Sequence, residues 1–336
     1  MQKKMLVVVI CLILTLLLVN SYNVVNNEDI YVSIYNSEKA LDGTTLFFDS
    51  NSGTPRIIEI NMIGDIIWEY VLPDTFKNYT NPGFDVEILE NNHLQLLAPG
   101  YGVIEINPTG EIVWQYLDPQ VSHDADRLDN GNVLIAFGNF DTKNDVQVKE
   151  INRAGEIVWE WKVAEQLDYD VSCSGYSHTN SVSRLNNGNT LVSLRNFNFI
   201  VEVNPEGEIV NTIGEGIISS NHDPTVTEGR HLTVASQSPL PCYLTTENDN
   251  FIAAMEIDMD TNEILWQYGD GEWGNSKKQL VRDVNKLSNG NYLIAGTTKT
   301  IEVTSDGEIV WELVIERYDD SLRGFYKVER IPTQEI

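Results

Sequence analysis

Basic residues are scarce in this sequence. Lysine and arginine number 22 against 50 aspartates and glutamates, a formal net charge of −28 at pH 7. That balance argues against a nucleic-acid partner, because a phosphate backbone needs a basic face. Histidine is scarcer still, with five in 336 residues. Any anion this chain handles must therefore be met by a few cations gathered in one place. The sequence also lacks a serine-centred nucleophile elbow and a phosphate-cradling glycine loop. Beyond the first 22 residues it has no long amphipathic helical stretch. Charged residues make up 21% of the chain and apolar content is ordinary, so global disorder is excluded.

The one long apolar run lies at the start. In "MQKKMLVVVICLILTLLLVNSY", Lys3 and Lys4 precede an apolar segment over residues 5–19. That pattern reads as a signal peptide or a signal anchor over residues 1–22. It predicts an extracytoplasmic protein, secreted or held at the membrane by residues 5–19. Cys173 and Cys242 then fall in the exported part, where they form a candidate disulfide; two free thiols are the alternative. Asn78-Tyr79-Thr80 is a glycosylation sequon on a predicted loop.

The rest of the chain is one unit repeated. "NPTGEIVWQY" at 107–116 returns as "NRAGEIVWEW" at 152–161 and "TSDGEIVWEL" at 304–313, with looser copies at 61–70, 204–213 and 258–268. Each has a turn, then alternating β-branched residues that end on an aromatic, which is the grammar of a half-buried strand. A second phrase, "LDNGNVLIAF" at 128–137, recurs as "LNNGNTLVSL", "LSNGNYLIAG", "LENNHLQLL" and "LDGTTLFF", with a weaker copy at 227–236. Asn-Gly supplies the positive φ of a tight hairpin. Two hairpins per unit, at a spacing of about 45 residues, predict an all-β chain. Six copies predict a six-bladed β-propeller of four-stranded antiparallel blades over residues 28–336. Residues 321–331 echo the strand before the Asn-Gly turns and are expected to close the ring. The tryptophans Trp68, Trp114, Trp159, Trp266 and Trp311 are expected to pack between blades, with Asn211 replacing one of them.

The segments leading into the Asn-Gly hairpins carry the chemistry. Their heads are Phe84, His123, His178, His222 and Arg282, so three of the five histidines occupy equivalent repeat positions. In a propeller the innermost strand starts at one mouth of the central channel, where these side chains converge in a concave site. His93 and His231 fall at turn positions and read as surface. Three convergent imidazoles suit either a metal or an anion. Arg195, after the His178 hairpin, and Arg282 tip the reading to a tetrahedral oxyanion, which a guanidinium fork prefers. No metal is assigned, and histidine remains the candidate nucleophile.

Four ordered motifs over roughly residues 100–320 carry a resemblance. They are "SHDADRLDNGNVLIAF", "YSHTNSVSRLNNGNTLVSLRNF", "SSNHDPTVTEGRHLTVAS" and "LVRDVNKLSNGNYLIAG". In these the chain resembles the aryl-sulfate sulfotransferases, six-bladed propellers that pass a sulfuryl group between phenols without a nucleotide cofactor. The resemblance implies an aryl sulfate donor and a phenolic acceptor. It implies that His222 is the nucleophile, through a sulfohistidine in a ping-pong cycle. His123, His178 and Arg195 would hold the sulfuryl oxygens, and Asn180 and Arg282 would line or orient the site. The flanking imidazoles would move the phenol proton by titrating near neutrality. The sequence departs from the family after His222, where "VASQSPLPCYLTTENDN" replaces an Asp-Asn-Gly stretch, and in its short N-terminal part. A non-catalytic binding or scaffold propeller is the alternative reading, and a quinone-dependent dehydrogenase a weaker one.

Overall fold

The computed structural model describes residues 29–49, 55–80, 83–169, 174–237, 253–269, 280–316 and 324–333. The predicted leader over 1–22 and both cysteines of the candidate disulfide lie outside them. Among the described residues no helix is long and apolar enough to cross a membrane. Asn78 of the sequon is exposed in a short 3-10 turn, Asp74–Tyr79.

Six antiparallel sheets follow one another along the chain as the blades of a β-propeller. The innermost strands of blades two to six are Asp85–Ile88, Ala125–Arg127, Thr179–Arg184, His222–Thr227 and Val281–Lys286. Blade one takes its innermost strand from the far end of the chain. Val328–Pro332 pairs antiparallel with Gly43–Asp49, with Phe47 opposite Val328. The ring thus closes as the echo at 321–331 predicts. One consequence differs from expectation: "LDGTTLFF" opens no hairpin with a preceding strand, because its inner partner comes from the C-terminus. Blade six also has a fifth strand, since Ile30–Tyr35 pairs with Ile309–Ile315 across a bulge. This strand covers an edge that other blades leave open. Val310 is fully buried, whereas its counterpart Val113 in blade two is 46% exposed.

Two repeated devices tie each blade to the next. The repeat tryptophans donate their indole N–H across the gap, Trp114 to the Arg153 carbonyl (3.1 Å), Trp159 to Pro205 (3.1 Å), Trp266 to Ser305 (3.1 Å) and Trp311 to Met62 (3.0 Å). In blade four, where the tryptophan is missing, Asn211 makes the same donation with its amide, to the Met259 carbonyl at 2.7 Å. The substitution keeps the donor and gives up the ring. The second device is a glutamate in the third strand. Glu150 accepts from Asn130 and Asn132 of its own turn and from Arg184 of the next blade. Glu202 does the same with Asn187, Asn189 and Arg230. The Asn-Gly-Asn turn therefore supplies positive φ at glycine and amide donors at its flanks. His93 and His231 belong to this set. His93 is 2.7 Å from Glu105, and His231 is 3.6 Å from Glu256, so both are part-buried against third-strand glutamates rather than plain surface residues.

Candidate active site

The heads of the innermost strands of blades three to six stand together at the propeller axis. His123, His178, His222 and Arg282 are all buried there, and they meet. The Nε2 atoms of His123 and His178 lie 3.3 Å apart, and the His123 and His222 rings are stacked with centroids 6.1 Å apart. Phe84 departs from this pattern: it turns into the core between blades one and two, stacked on Phe48 at 4.5 Å. The sixth head, which sequence reasoning missed, is Tyr326. Its hydroxyl is 3.1 Å from His222 Nε2, and the Arg282 guanidinium sits 5.2 Å from its ring centroid.

Local backbone geometry aims these groups. His178 has φ 48° and Asp223 φ 49°, left-handed values that non-glycine residues adopt only when their surroundings hold them there. For His178 the hold is Asp141, whose carboxylate accepts from the His178 N–H (3.1 Å), the Ser177 N–H (3.0 Å) and the Ser177 hydroxyl (2.8 Å). Gly138 completes the support. A Cβ there would fall 2.2 Å from the Thr179 backbone nitrogen and oxygen, so only glycine allows the blade-three loop to approach.

Hydrogen bonds fix which ring nitrogens are bare. His222 Nδ1 is 2.8 Å from the Arg282 carbonyl, so it must carry the proton and Nε2 the lone pair. Tyr326 therefore donates its hydroxyl to that lone pair. His178 Nδ1 likewise donates to the Ser174 carbonyl at 2.9 Å. His123 must then donate from Nε2 to His178, which leaves His123 Nδ1 with the lone pair. That atom is buried and has no hydrogen-bond partner among the described residues. Burial is the main cause holding all three imidazoles neutral. His178 is lowered to about 3 by burial and then by Arg195, and His222 lies well below the ordinary range through burial, Arg282 and Arg195. His123 is lowered well below it by burial and its charged and imidazole neighbours. In this arrangement the three groups do not titrate near neutrality, which corrects the sequence-based expectation.

Arg195 opens the 3-10 turn Arg195–Phe197 and acts electrostatically on all three histidines. Asn180 is fully buried in the blade-four inner strand and donates to the Asn221 carbonyl at 2.9 Å. It braces the residue before His222 rather than presenting its N–H groups to a ligand. Its Oδ1 has no partner among the described residues.

One residue below the heads lies a second ring: Asp85, Asp124, Thr179, Asp223, Asp283 and Lys327. The aspartates of this ring have a structural task. Asp124 accepts the Val182 N–H at 2.7 Å and Asp283 the Val328 N–H at 2.9 Å, each stapling its blade to the next. Lys327 Nζ gathers Asp85 (3.2 Å), Asp124 (2.5 Å) and Asp223 (3.0 Å) at the axis. Burial opposes the lysine's charge, but these carboxylates outweigh it and raise its pKa well above the ordinary value. Below this plug, towards the opposite mouth, a cavity of about 1070 Å³ is lined by carboxylates including Glu87, Asp126 and Asp283. Among the described residues no histidine lines it. The reactive groups and the large acidic cavity thus occupy opposite sides of Lys327.

The fold and the head ring define a six-bladed propeller with a neutral three-histidine, two-arginine cluster at one end of its axis. The chain belongs to the arylsulfotransferase (ASST) family, whose model matches residues 24–218. The match takes in His123, His178, Asn180 and Arg195 and stops short of His222, Arg282 and Tyr326. Among proteins of curated function none matches the chain. A protein of unknown function from Bacteroides caccae has 18% identity and a TM-score of 0.59 over 85% of this chain and 98% of its own. A catalytically inactive virginiamycin B lyase from Staphylococcus aureus with quinupristin has 12% identity and a TM-score of 0.50, over 83% and 86%. At these identities both are likenesses of fold alone.

Proposed function

We propose that the protein is an aryl-sulfate sulfotransferase that works outside the cytoplasm and passes a sulfuryl group between phenols through His222. The observation that carries this reading is the unprotonated Nε2 of His222, fixed by the Arg282 carbonyl behind Nδ1, in a cluster that also holds Arg195 and Arg282. The N-terminal apolar run, with its two lysines, supports the compartment.

In the first half-reaction, His222 Nε2 attacks the sulfur of the aryl sulfate. The Nε2–S bond forms, the S–O bond to the aryl group breaks, and the phenolate leaves. Arg195 and Arg282 offset the charge on the sulfuryl oxygens and the leaving oxygen. Removing one such fixed donor typically costs about 10²–10³ in rate. The leaving phenolate needs a proton. An anion in the site raises the depressed imidazole pKa values, so His123 takes up a proton at Nδ1 as the donor binds and passes it to the phenolate. In the second half-reaction the acceptor phenol loses its proton to His123, its oxygen attacks sulfur, and the Nε2–S bond breaks. His178, held by Ser174 and hydrogen-bonded to His123, orients that base. Asn180 holds the backbone next to His222.

The test is transfer from 4-nitrophenyl sulfate to phenol by the protein and by His222→Ala. Phenol-dependent nitrophenolate release should fall about 10⁴-fold or more in the variant. A folded wild-type protein inactive across a panel of aryl sulfates and phenols would sink the reading and favour a binding propeller.

A further inference from the structure

The histidine that would carry the sulfuryl group already has a phenol against it. Tyr326 is 1% exposed, and its hydroxyl is hydrogen-bonded to the His222 lone pair at 3.1 Å. Its ring stands perpendicular to the imidazole, with centroids 5.3 Å apart and an interplanar angle of 86°. The Arg282 guanidinium holds the ring from one side, and Gly83 packs against its Cβ from another, at a position where any side chain would collide. Group transfer between two nucleophiles needs them roughly in line on opposite sides of the moving centre. A hydroxyl that meets the Nε2 lone pair is on that line. Inserting sulfur between the two atoms asks the phenol to retreat by roughly 1–2 Å.

We infer that Tyr326 is itself an acceptor, a phenol within the chain that takes the sulfuryl group from His222 when no external phenol is bound. The inference rests on the sulfotransferase reading above. In the step, the Tyr326 oxygen attacks sulfur, the O–S bond forms and the Nε2–S bond breaks. The phenol proton passes to His123, whose Nδ1 lone pair is unpartnered among the described residues and whose ring centroid is 5.8 Å from that of Tyr326. The product is a sulfotyrosine, which is an aryl sulfate like the donor. The two leaving groups are both phenols, so the transfer runs in either direction. Tyr326 thereby stores the group away from water and returns it to His222 when an acceptor arrives.

The full chain is incubated with 4-nitrophenyl sulfate alone, digested, and its peptides weighed; a parallel sample receives phenol and nitrophenolate is followed. The expected result is one SO₃ on the peptide containing Tyr326, approaching one group per chain and removed when phenol is added. It should be absent from Tyr326→Phe and from His222→Ala. In Tyr326→Phe any label should be confined to the peptide containing His222, and an unfolding midpoint matching the wild type shows that the variant is folded. Phenol-dependent release by the wild type with no label on the Tyr326 peptide would overturn this inference and leave the sulfotransferase reading standing. Label on Tyr326 that persists in His222→Ala would also overturn it, because the group would not have come from the histidine. No nitrophenolate in either sample overturns both.

Discussion

Lys327→Met isolates what the axial lysine does. The ammonium contacts Asp85, Asp124 and Asp223 at 3.2, 2.5 and 3.0 Å, and its side chain is only 13% exposed. Methionine fills much of the same space, so the change removes charge more than volume. Breaking a buried ion pair from one side costs about 3–5 kcal/mol. The pH dependence distinguishes this mechanism from loss of packing. Burial raises the pKa of Asp223 to about 6 even with Lys327 lowering it, and Asp85 is raised well above its ordinary value for the same reason. The unfolded carboxyl titrates near about 3.9. A group with a raised folded pKa carries no penalty below its unfolded pKa and the full penalty above its folded one. Removing the lysine pushes both carboxyls up further, so the penalty grows as pH rises. Lys327 itself stays charged throughout this range and adds no slope. The destabilisation should therefore be about 3–5 kcal/mol at pH 8, or roughly 5–8 °C in Tm, and less than half that at pH 5. Urea and thermal unfolding of both proteins at pH 5, 6.5 and 8 give the comparison. An equal loss at every pH, or a larger one at pH 5, would refute the argument.

The neutral histidines make a kinetic prediction. With His178 near 3 and His123 and His222 well below the ordinary range, protonation of the free enzyme's imidazoles should not limit kcat/KM until well into acid. Because the donor half-reaction takes up a proton that the free enzyme lacks, kcat/KM should not fall between pH 8 and about 5, and an acid limb centred near the ordinary imidazole value of about 6.5 would contradict this. Asn211→Leu should cost about 1–2 kcal/mol in urea unfolding, since it leaves the Met259 carbonyl without its 2.7 Å donor. A neutral result would mean that the amide does not replace the indole N–H of the other blades.

The sequence made the propeller legible because its period, its Asn-Gly turns and its closing tryptophans are local signals repeated along the chain. It made three imidazoles legible because the same residue type returned at the same offset. Tyr326 and Lys327 escaped because the repeat keeps register while the chemistry changes. Arg282-Asp283-Val284-Asn285-Lys286 and Tyr326-Lys327-Val328-Glu329-Arg330 align on the buried valines Val284 and Val328, and Lys286 and Arg330 both reach third-strand glutamates. Aligning on those positions, rather than on histidine, would have found both residues. The fifth strand of blade six was hidden for another reason: Ile30–Tyr35 is followed by no hairpin, and its partner strand lies near the other end of the chain. The protonation states were out of reach, since they depend on burial and on arginines brought in from other blades.

The two stacked rings also answer how so acidic a chain could hold a sulfate. Four aspartates lie directly below the heads, and each, when ionised, would repel an anion above it. At an effective dielectric near 20, two like charges roughly 8 Å apart oppose each other by about 2 kcal/mol. The structure offsets this repulsion in two ways. Lys327 gathers three of the four carboxylates, while backbone N–H groups of neighbouring blades engage Asp124 and Asp283. Those contacts also hold the blades in register, so the groups that shield the anion position the imidazoles above. Weakening the lower ring should therefore cost anion affinity together with stability, even though it changes no residue of the head ring.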